Sequence, residues 1–328
     1  MKILCAPNTF KGSLSALDAA EAISRGVKHI WPDAETVILP IADGGDGTLS
    51  AIMATQDGTL INVDVTGPLG DPVTAQFGLL EDGTAIIEMA EASGLRLLSA
   101  DQLNPMKTTT YGTGELIKAA LDHGAKRVIV GVGGSATVDG GAGMAQALGA
   151  KLLDAEGASI AYGGDGLAVL ESIDVSALDP RIAETQFIVA SDVTNPLTGP
   201  KGAAQVFGPQ KGATPQMVAL LDGALARYGQ ITRRDIDKFV AHLPGAGAAG
   251  GLGAGLMAFL NAVMASGVDV VLDTIGADQH LADCDLVITG EGQIDAQTIY
   301  GKAPMGIARR AKKRKTPVIA IAGRVTDD

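Results

Sequence analysis

The sequence predicts an α/β protein built on parallel strands, with its ligand loops at the strands' carboxyl ends. Three observations carry that expectation. Apolar residues make up 46% of the 328 and aromatics only 3%, so the core must be assembled from Ala, Val, Leu and Ile, which suits layers of helix and sheet better than a β-sandwich. The first 60 residues alternate strand, loop, helix, strand, loop, helix, an order that places both loops where ligands bind in open α/β sheets. After a stretch of different texture, the same rhythm returns near residue 270.

Residues 3–6 form a short apolar run that Pro7-Asn8-Thr9-Phe10-Lys11-Gly12 breaks. Ser15 with Asp18 three residues later resembles a capping box, and Leu17, Ala20, Ile23, Val27 and Ile30 mark one helical face before Trp31-Pro32-Asp33. Residues 36–41 read as a second strand running into Ala42-Asp43-Gly44-Gly45-Asp46-Gly47-Thr48, where another helix begins. From residue 60 to 94, alternating segments at 61–65 and 85–89 are split by Gly-Pro and Asp-Gly turns and predict antiparallel strands. A helical pattern covers residues 112–121.

A strand over 126–130 then leads into residues 131–143, GVGGSATVDGGAG, and an Ala-rich helical segment over 144–150 follows. Strand, glycine loop and helix form a phosphate-binding geometry, because glycine lets several N–H groups converge on an anion with the positive end of the next helix behind them. The plain alternative is a tight turn between two packed elements. A polar loop region extends to about residue 183, followed by a strand over 187–190 and the loop Ser191-Asp192-Val193-Thr194-Asn195-Pro196. Thr214 caps a helix through Tyr228, with Pro215 in its first turn.

Residues 244–250 spell GxGxxG, yet the context is wrong for a dinucleotide fingerprint. The preceding residues 233–243 are charged rather than a buried strand, and no acidic residue closes a second strand about 20 positions later. These glycines instead open an Ala/Leu/Met helix to Ser266, either packing it tightly or offering its N-terminus to an anion. Residues 285–289 predict a strand, 290–295 its loop, 304–313 a helix and 317–322 another strand.

A formal charge of −12 excludes a sequence-independent grip on nucleic acid, which needs a basic face. The start MKILCAPNTF lacks the apolar region of a signal peptide and no run reaches the length of a membrane span, so a cytoplasmic protein with no membrane contact is expected. Cys5 and Cys284 have no CxxC or metal-type spacing and read as reduced core residues. His29, His123, His242 and His280 lie outside the glycine loops, and G-x-S-x-G, H-E-x-x-H and the P-loop sequence are all missing. Four loops after expected strands do carry carboxylates: Asp43, Asp139, Asp192, and Glu291 with Asp295. Each alone reads as a turn or cap residue. Together they suit Mg²⁺ held by one or two carboxylates plus substrate phosphates, with one carboxylate taking a proton from an alcohol.

Six segments then stand in order: Ala6-Pro7-Asn8-Thr9-Phe10-Lys11-Gly12-Ser13, Ala42-Asp43-Gly44-Gly45-Asp46-Gly47-Thr48, Gly133-Gly134-Ser135-Ala136-Thr137-Val138-Asp139-Gly140-Gly141, Ser191-Asp192-Val193-Thr194-Asn195-Pro196-Leu197, Phe207-Gly208-Pro209-Gln210-Lys211-Gly212-Ala213, and Thr289-Gly290-Glu291-Gly292-Gln293-Ile294-Asp295. In these, and along its whole length, the chain resembles the bacterial two-domain glycerate kinases. The resemblance implies ATP- and Mg²⁺-dependent phosphorylation of D-glycerate, at the 2-hydroxyl or alternatively at the 3-hydroxyl. It also implies a Rossmann-like domain made from residues 1–60 and 270–328, a mixed α/β domain inserted over 61–269, and an active site in the cleft between them. Asn8, Asp46 and Gln293 stand where the family usually has Asp, Glu and Arg, and the chain ends at Asp328 where relatives continue, which implies a shortened terminal sheet.

Site roles follow as expectations. Asp192 orients or deprotonates the glycerate hydroxyl with Asn195 beside it, Lys11 neutralises transferring phosphoryl oxygens, and Lys211 meets the glycerate carboxylate. Asp43, Glu291 and Asp295 are the Mg²⁺ candidates. Gly133, Gly134, Gly44, Gly45, Gly290 and Gly292 are the nucleotide or phosphate contacts, and Ser135, Thr137 and Asp139 serve the substrate or fix their loop. The plain reading of each lysine is a solvated surface charge, and of each carboxylate a cap. Two other functions stay open: a kinase for another small hydroxy or sugar acid, and a non-catalytic sugar-phosphate sensor on the same fold. The chain is compatible with a monomer or a homodimer.

Overall fold

In the computed structural model, which describes residues 1–295 and 302–326, the strands are β1 (Lys2–Pro7), β2 (Glu35–Ile38), β3 (Gly58–Thr66), β4 (Pro72–Leu80), β5 (Thr84–Glu88), β6 (Arg127–Gly131), β7 (Lys151–Leu153), β8 (Ser172–Asp174), β9 (Gln186–Ala190), β10 (Val263–Ala265), β11 (Leu286–Ile294) and β12 (Val318–Val325). The chain packs as two units, Met1–Gly58 with Ala265–Asp328, and Thr59–Met264.

In the first unit β12, β11, β1 and β2 lie side by side in that order, and every neighbouring pair is parallel. Parallel neighbours need crossovers, and the helices Ala16–Ile30 and Ala303–Lys313 supply those from β1 to β2 and from β11 to β12. The first starts where Ser15 Oγ accepts from Asp18 N at 3.1 Å. Its Ala20 and Val27 close on Ile3, Cys5 and Ile288 of the sheet. Ile3, Cys5 and Ala20 are fully buried. Beyond β2 the chain stays beside β1, since Leu39 N donates to Cys5 O and Ile41 N to Pro7 O. Pro40, lacking an N–H, interrupts the regular ladder between them.

β11 departs from expectation. The loop expected over residues 290–295 is mostly strand, because Gly290, Glu291, Gln293 and Ile294 pair with Ile321, Ala322, Arg324 and Val325 of β12. β12 ends the sheet, with Ile319, Ile321 and Val325 exposed.

The second unit holds a six-stranded sheet ordered β10, β9, β6, β5, β4, β3. β4 runs antiparallel to β5, whereas β5, β6 and β9 are parallel. β5 and β6 are buried nearly throughout, as expected of central strands covered on both faces. The region expected to be a polar loop up to residue 183 carries the β7–β8 pair and buries Ile160, Leu167, Leu170 and Ile173. The helix capped by Thr214 runs to Ile236, past the expected end at Tyr228. Apolar Leu221, Leu225, Tyr228 and Ile231 keep helical spacing and are buried along it.

Candidate functional site

The candidate residues fall into two sets, one in each unit. In the unit of the chain ends, the loops following β1 and β2 and the last residues of β11 line a cavity of about 420 Å³. Asn8, Lys11, Asp43, Gly45, Asp46, Glu291, Gly292, Gln293 and Lys302 face it. Parallel strands force this convergence, since the ends of β1, β2 and β11 all point the same way. Asn8 continues the ladder, its N–H donating to Gly290 O at 2.8 Å, and its Oδ1 accepts from Thr9 N at 2.7 Å. The Asn8 side chain thus shapes its own turn. Lys11 is exposed, while the backbone beside it closes on Gly292. Asp43 Oδ1 accepts a long 3.3 Å bond from Gly45 N.

Lys302 is the residue that the sequence did not single out. Its Nζ lies 3.2 Å from Asp295 Oδ1 and 4.0 Å from Glu291 Oε1, and Gln293 Nε2 donates to Asp295 Oδ2 at 3.3 Å. Of the three Mg²⁺ candidates, Asp43 and Glu291 line the cavity and Asp295 engages Lys302. Among the described residues no three His, Cys, Asp or Glu side chains gather tightly enough to hold a metal by themselves. A larger cavity of about 1080 Å³ in this unit includes none of the candidate residues, and its Arg310 is already paired with Asp269, Asp273 and Asp278.

In the second unit the loop after β6 is pinned from several sides. Leu95 N donates to Gly134 O at 2.8 Å, Thr108 Oγ1 to Ala136 O at 2.8 Å, and Lys211 Nζ to Thr137 O and Ser135 Oγ at 2.7 Å each. Those bonds engage the carbonyls of Gly134, Ala136 and Thr137 within the protein. Among the described residues no backbone bond uses the amides of Gly133 or Gly134, and Gly134 sits at φ +69°, a left-handed turn that glycine adopts without steric cost.

The helix expected behind the loop is short, Ala142–Ala147, and its N-terminal groups are already taken. Asp139 Oδ1 accepts from Gly141 N, Asp139 Oδ2 from Gly143 N and from both donors of Thr110, and Thr110 Oγ1 accepts from Met144 N. The positive end of this helix therefore faces its own cap and not a ligand. Burial raises the Asp139 carboxyl above the usual range and the hydrogen bonds to Thr110, Gly141 and Gly143 oppose that rise. Asp139 is wholly buried, so it shapes the loop from inside. Thr110, at the end of the run Thr108-Thr109-Thr110, is a second residue sequence reading missed.

Lys211 is not the solvated charge that lysines usually are, being 1% exposed. Its amine spends two of the three donors of an ammonium on Ser135 Oγ and Thr137 O. Asp192 is exposed on the loop after β9, and Asn195 Nδ2 is turned onto Lys201 O at 2.8 Å. The GxGxxG segment packs against these loops. Gly250 O accepts from Gly140 N, Asn195 O accepts from Gly247 N, and a Cβ on Gly250 would lie 1.9 Å from Thr137 O. Close packing, rather than anion binding, accounts for these glycines.

A family model described as the glycerate kinase family matches residues 3–328. The chain belongs to the glycerate kinase family. Among relatives, it is 53% identical to the glycerate 2-kinase of Escherichia coli (strain K12) and 54% identical to the glycerate kinase of Bacillus subtilis (strain 168), in both cases over 100% of this chain and 86% of the relative. A crystal structure of a candidate glycerate kinase 2 from Salmonella typhimurium LT2 superposes with a TM-score of 0.92 at 53% identity, covering 99% of this chain and 90% of that one. The family resemblance read from six segments is thereby shown along the chain, and so is the mixed α/β fold with its parallel sheet.

Proposed function

We propose that this chain transfers the γ-phosphoryl group of ATP to the 2-hydroxyl of D-glycerate, giving 2-phosphoglycerate and ADP. The observation that carries this reading is 53% identity, over 100% of this chain, to a protein named glycerate 2-kinase. The cavity at the ends of β1, β2 and β11 supports it, because it offers both lysines and carboxylates to a phosphate chain. In this reading Asp192 accepts the proton of the attacking hydroxyl, Asn195 orients the acid, and the oxygen attacks phosphorus in line as ADP leaves. The Lys11 ammonium stabilises the charge spread over the phosphoryl oxygens. Gly44, Gly45, Gly290 and Gly292 let backbone approach the nucleotide, and the amides of Gly133 and Gly134 hold an anionic group.

The donor set fits Mg²⁺. That ion prefers oxygen ligands, keeps several waters and needs only one or two carboxylates beside substrate phosphates. Asp43 and Glu291 would hold it, with Asp295 behind Lys302, and when bound it neutralises phosphate charge. No helix among the described residues is long and apolar enough to cross a membrane, and a cytoplasmic enzyme is proposed.

The test is ADP release in a coupled assay with D-glycerate, L-glycerate, glyoxylate and glucose in parallel, and phosphorus NMR of the product. Turnover with D-glycerate and a 2-phosphate signal are expected. Preference for a different acid would move the assignment to another kinase, and no ADP from any of the four would favour a binding protein.

A further inference from the structure

Lys211 and the loop after β6 hold the strongest relationship that the reaction outlined above leaves unused. The lysine lies in a tight turn, Pro209–Lys211, closed by Gly212 at φ +90°. A Cβ on Gly212 would sit 2.4 Å from Leu103 O, so that turn is itself wedged in place. From this fixed base the side chain reaches inward to Ser135 Oγ and Thr137 O, both at 2.7 Å. An amine that is buried and makes both of these hydrogen bonds to one loop holds that loop in place.

We propose that Lys211 is a positioning residue, which clamps Ser135 and Thr137 from behind and so holds the neighbouring turn at Gly133 and Gly134 in place. The proposal rests on reading that loop as the anion site. It assigns Lys211 a role through Ser135 and Thr137 and not a direct contact with glycerate. Asp139, whose charge supports that of Lys211, braces the far side of the same loop through Gly141 and Gly143. The two buried groups thus grip one loop at both ends. Gly133 and Gly134 beside that grip are half-buried, and among the described residues no backbone carbonyl accepts from their amides.

The experiment is hydrogen–deuterium exchange on the full chain without ligands, comparing wild type, Lys211→Met and Ser135→Ala, followed by steady-state kinetics. Lys211→Met should speed exchange in peptides spanning residues 131–138 by about fivefold to tenfold and leave peptides of the helix Ala303–Lys313 unchanged. Should Lys211→Met fail to fold, Ser135→Ala, which removes one of the two bonds, must show the same local effect to a smaller extent. Unchanged exchange over the loop overturns the clamp whether or not the enzyme proves to be a glycerate kinase. In kinetics, the KM of the ligand held by the loop should rise at least about tenfold in Lys211→Met, with kcat much less affected. Adding Ser135→Ala to Lys211→Met should then cost little more. Fully additive losses would assign the two side chains to separate contacts and overturn the proposal.

Discussion

Asp139 Oδ2 accepts both the backbone N–H and the hydroxyl of Thr110, each at 2.8 Å, and both residues are wholly buried. The same carboxylate also serves Gly141 and Gly143. Asp139→Ala therefore strands several buried donors at once, each costing about 1–3 kcal/mol. A loss of roughly 3 kcal/mol or more in urea unfolding is expected, against about 1 kcal/mol for Ser15→Ala at the exposed helix cap. Equal losses at the two sites would show that Asp139 acts as an ordinary cap.

Gly250 and Gly223 should respond to alanine in opposite directions. Gly250 has φ +68°, and an added Cβ would meet Thr137 O at 1.9 Å, a backbone atom that cannot swing aside. Left-handed strain and overpacking together cost about 2–5 kcal/mol. Gly223 lies within the helix Pro215–Ile236 with open space where a Cβ would stand, so alanine there should stabilise by about 0.5–1 kcal/mol. Thermal melts of the two variants decide the point, and a Gly250→Ala protein as stable as wild type would refute the packing account of the GxGxxG segment.

These two glycines also show what was legible in the sequence. The elements near the chain ends follow from apolar runs closed by Pro and Gly, so β1, the helix Ala16–Ile30 and the helix Ala303–Lys313 are local events. β11 beyond Thr289 is not local. Gly290, Glu291, Gly292 and Gln293 have little preference for strand, and only pairing with β12 extends it. Likewise Lys11, Asp43 and Glu291 are readable as residues at strand ends, whereas Lys302 joins them through tertiary folding, with no spacing rule to announce it. The burial of Lys211 was illegible for the same reason: its partners Ser135 and Thr137 are more than 70 residues away.

Stability should depend on pH through Lys211. Burial lowers its pKa to about 7 from the ordinary value of 10.5, with the charge of Asp139 opposing the shift. Between those values the unfolded chain holds a proton on Lys211 that the folded chain has released, so unfolding takes up a proton and stability rises with pH. Below pH 7 the cost of burying the charge is fully present; above the unfolded pKa it vanishes. The difference in urea midpoint between wild type and Lys211→Met should therefore shift in favour of wild type from pH 7 to 10. Tyr228, buried nearby with its pKa raised, is common to both proteins and largely cancels in that difference. A difference independent of pH would mean that Lys211 titrates alike in both states.

The two lysines of the β1–β2–β11 cavity should separate in kinetics. Lys11 is exposed, and the reading given above assigns it to the charge that develops as the phosphoryl group moves. Lys11→Ala should then lower kcat by about 10²-fold or more, the scale of a lost electrostatic donor. Lys302 is held by Asp295 and approaches Glu291 before any nucleotide arrives. Its removal takes a positive charge away from Asp295 and Glu291 at the proposed phosphate site, so Lys302→Ala should act mainly on the KM for ATP and on the Mg²⁺ concentration needed for half-maximal rate. Asp192→Asn, changing the proposed proton acceptor, should lower kcat steeply with little effect on ATP binding measured by titration calorimetry. A Lys11→Ala effect confined to KM would remove Lys11 from the transition state, and an Asp192→Asn enzyme that turns over at the wild-type rate would require another group to take the hydroxyl proton.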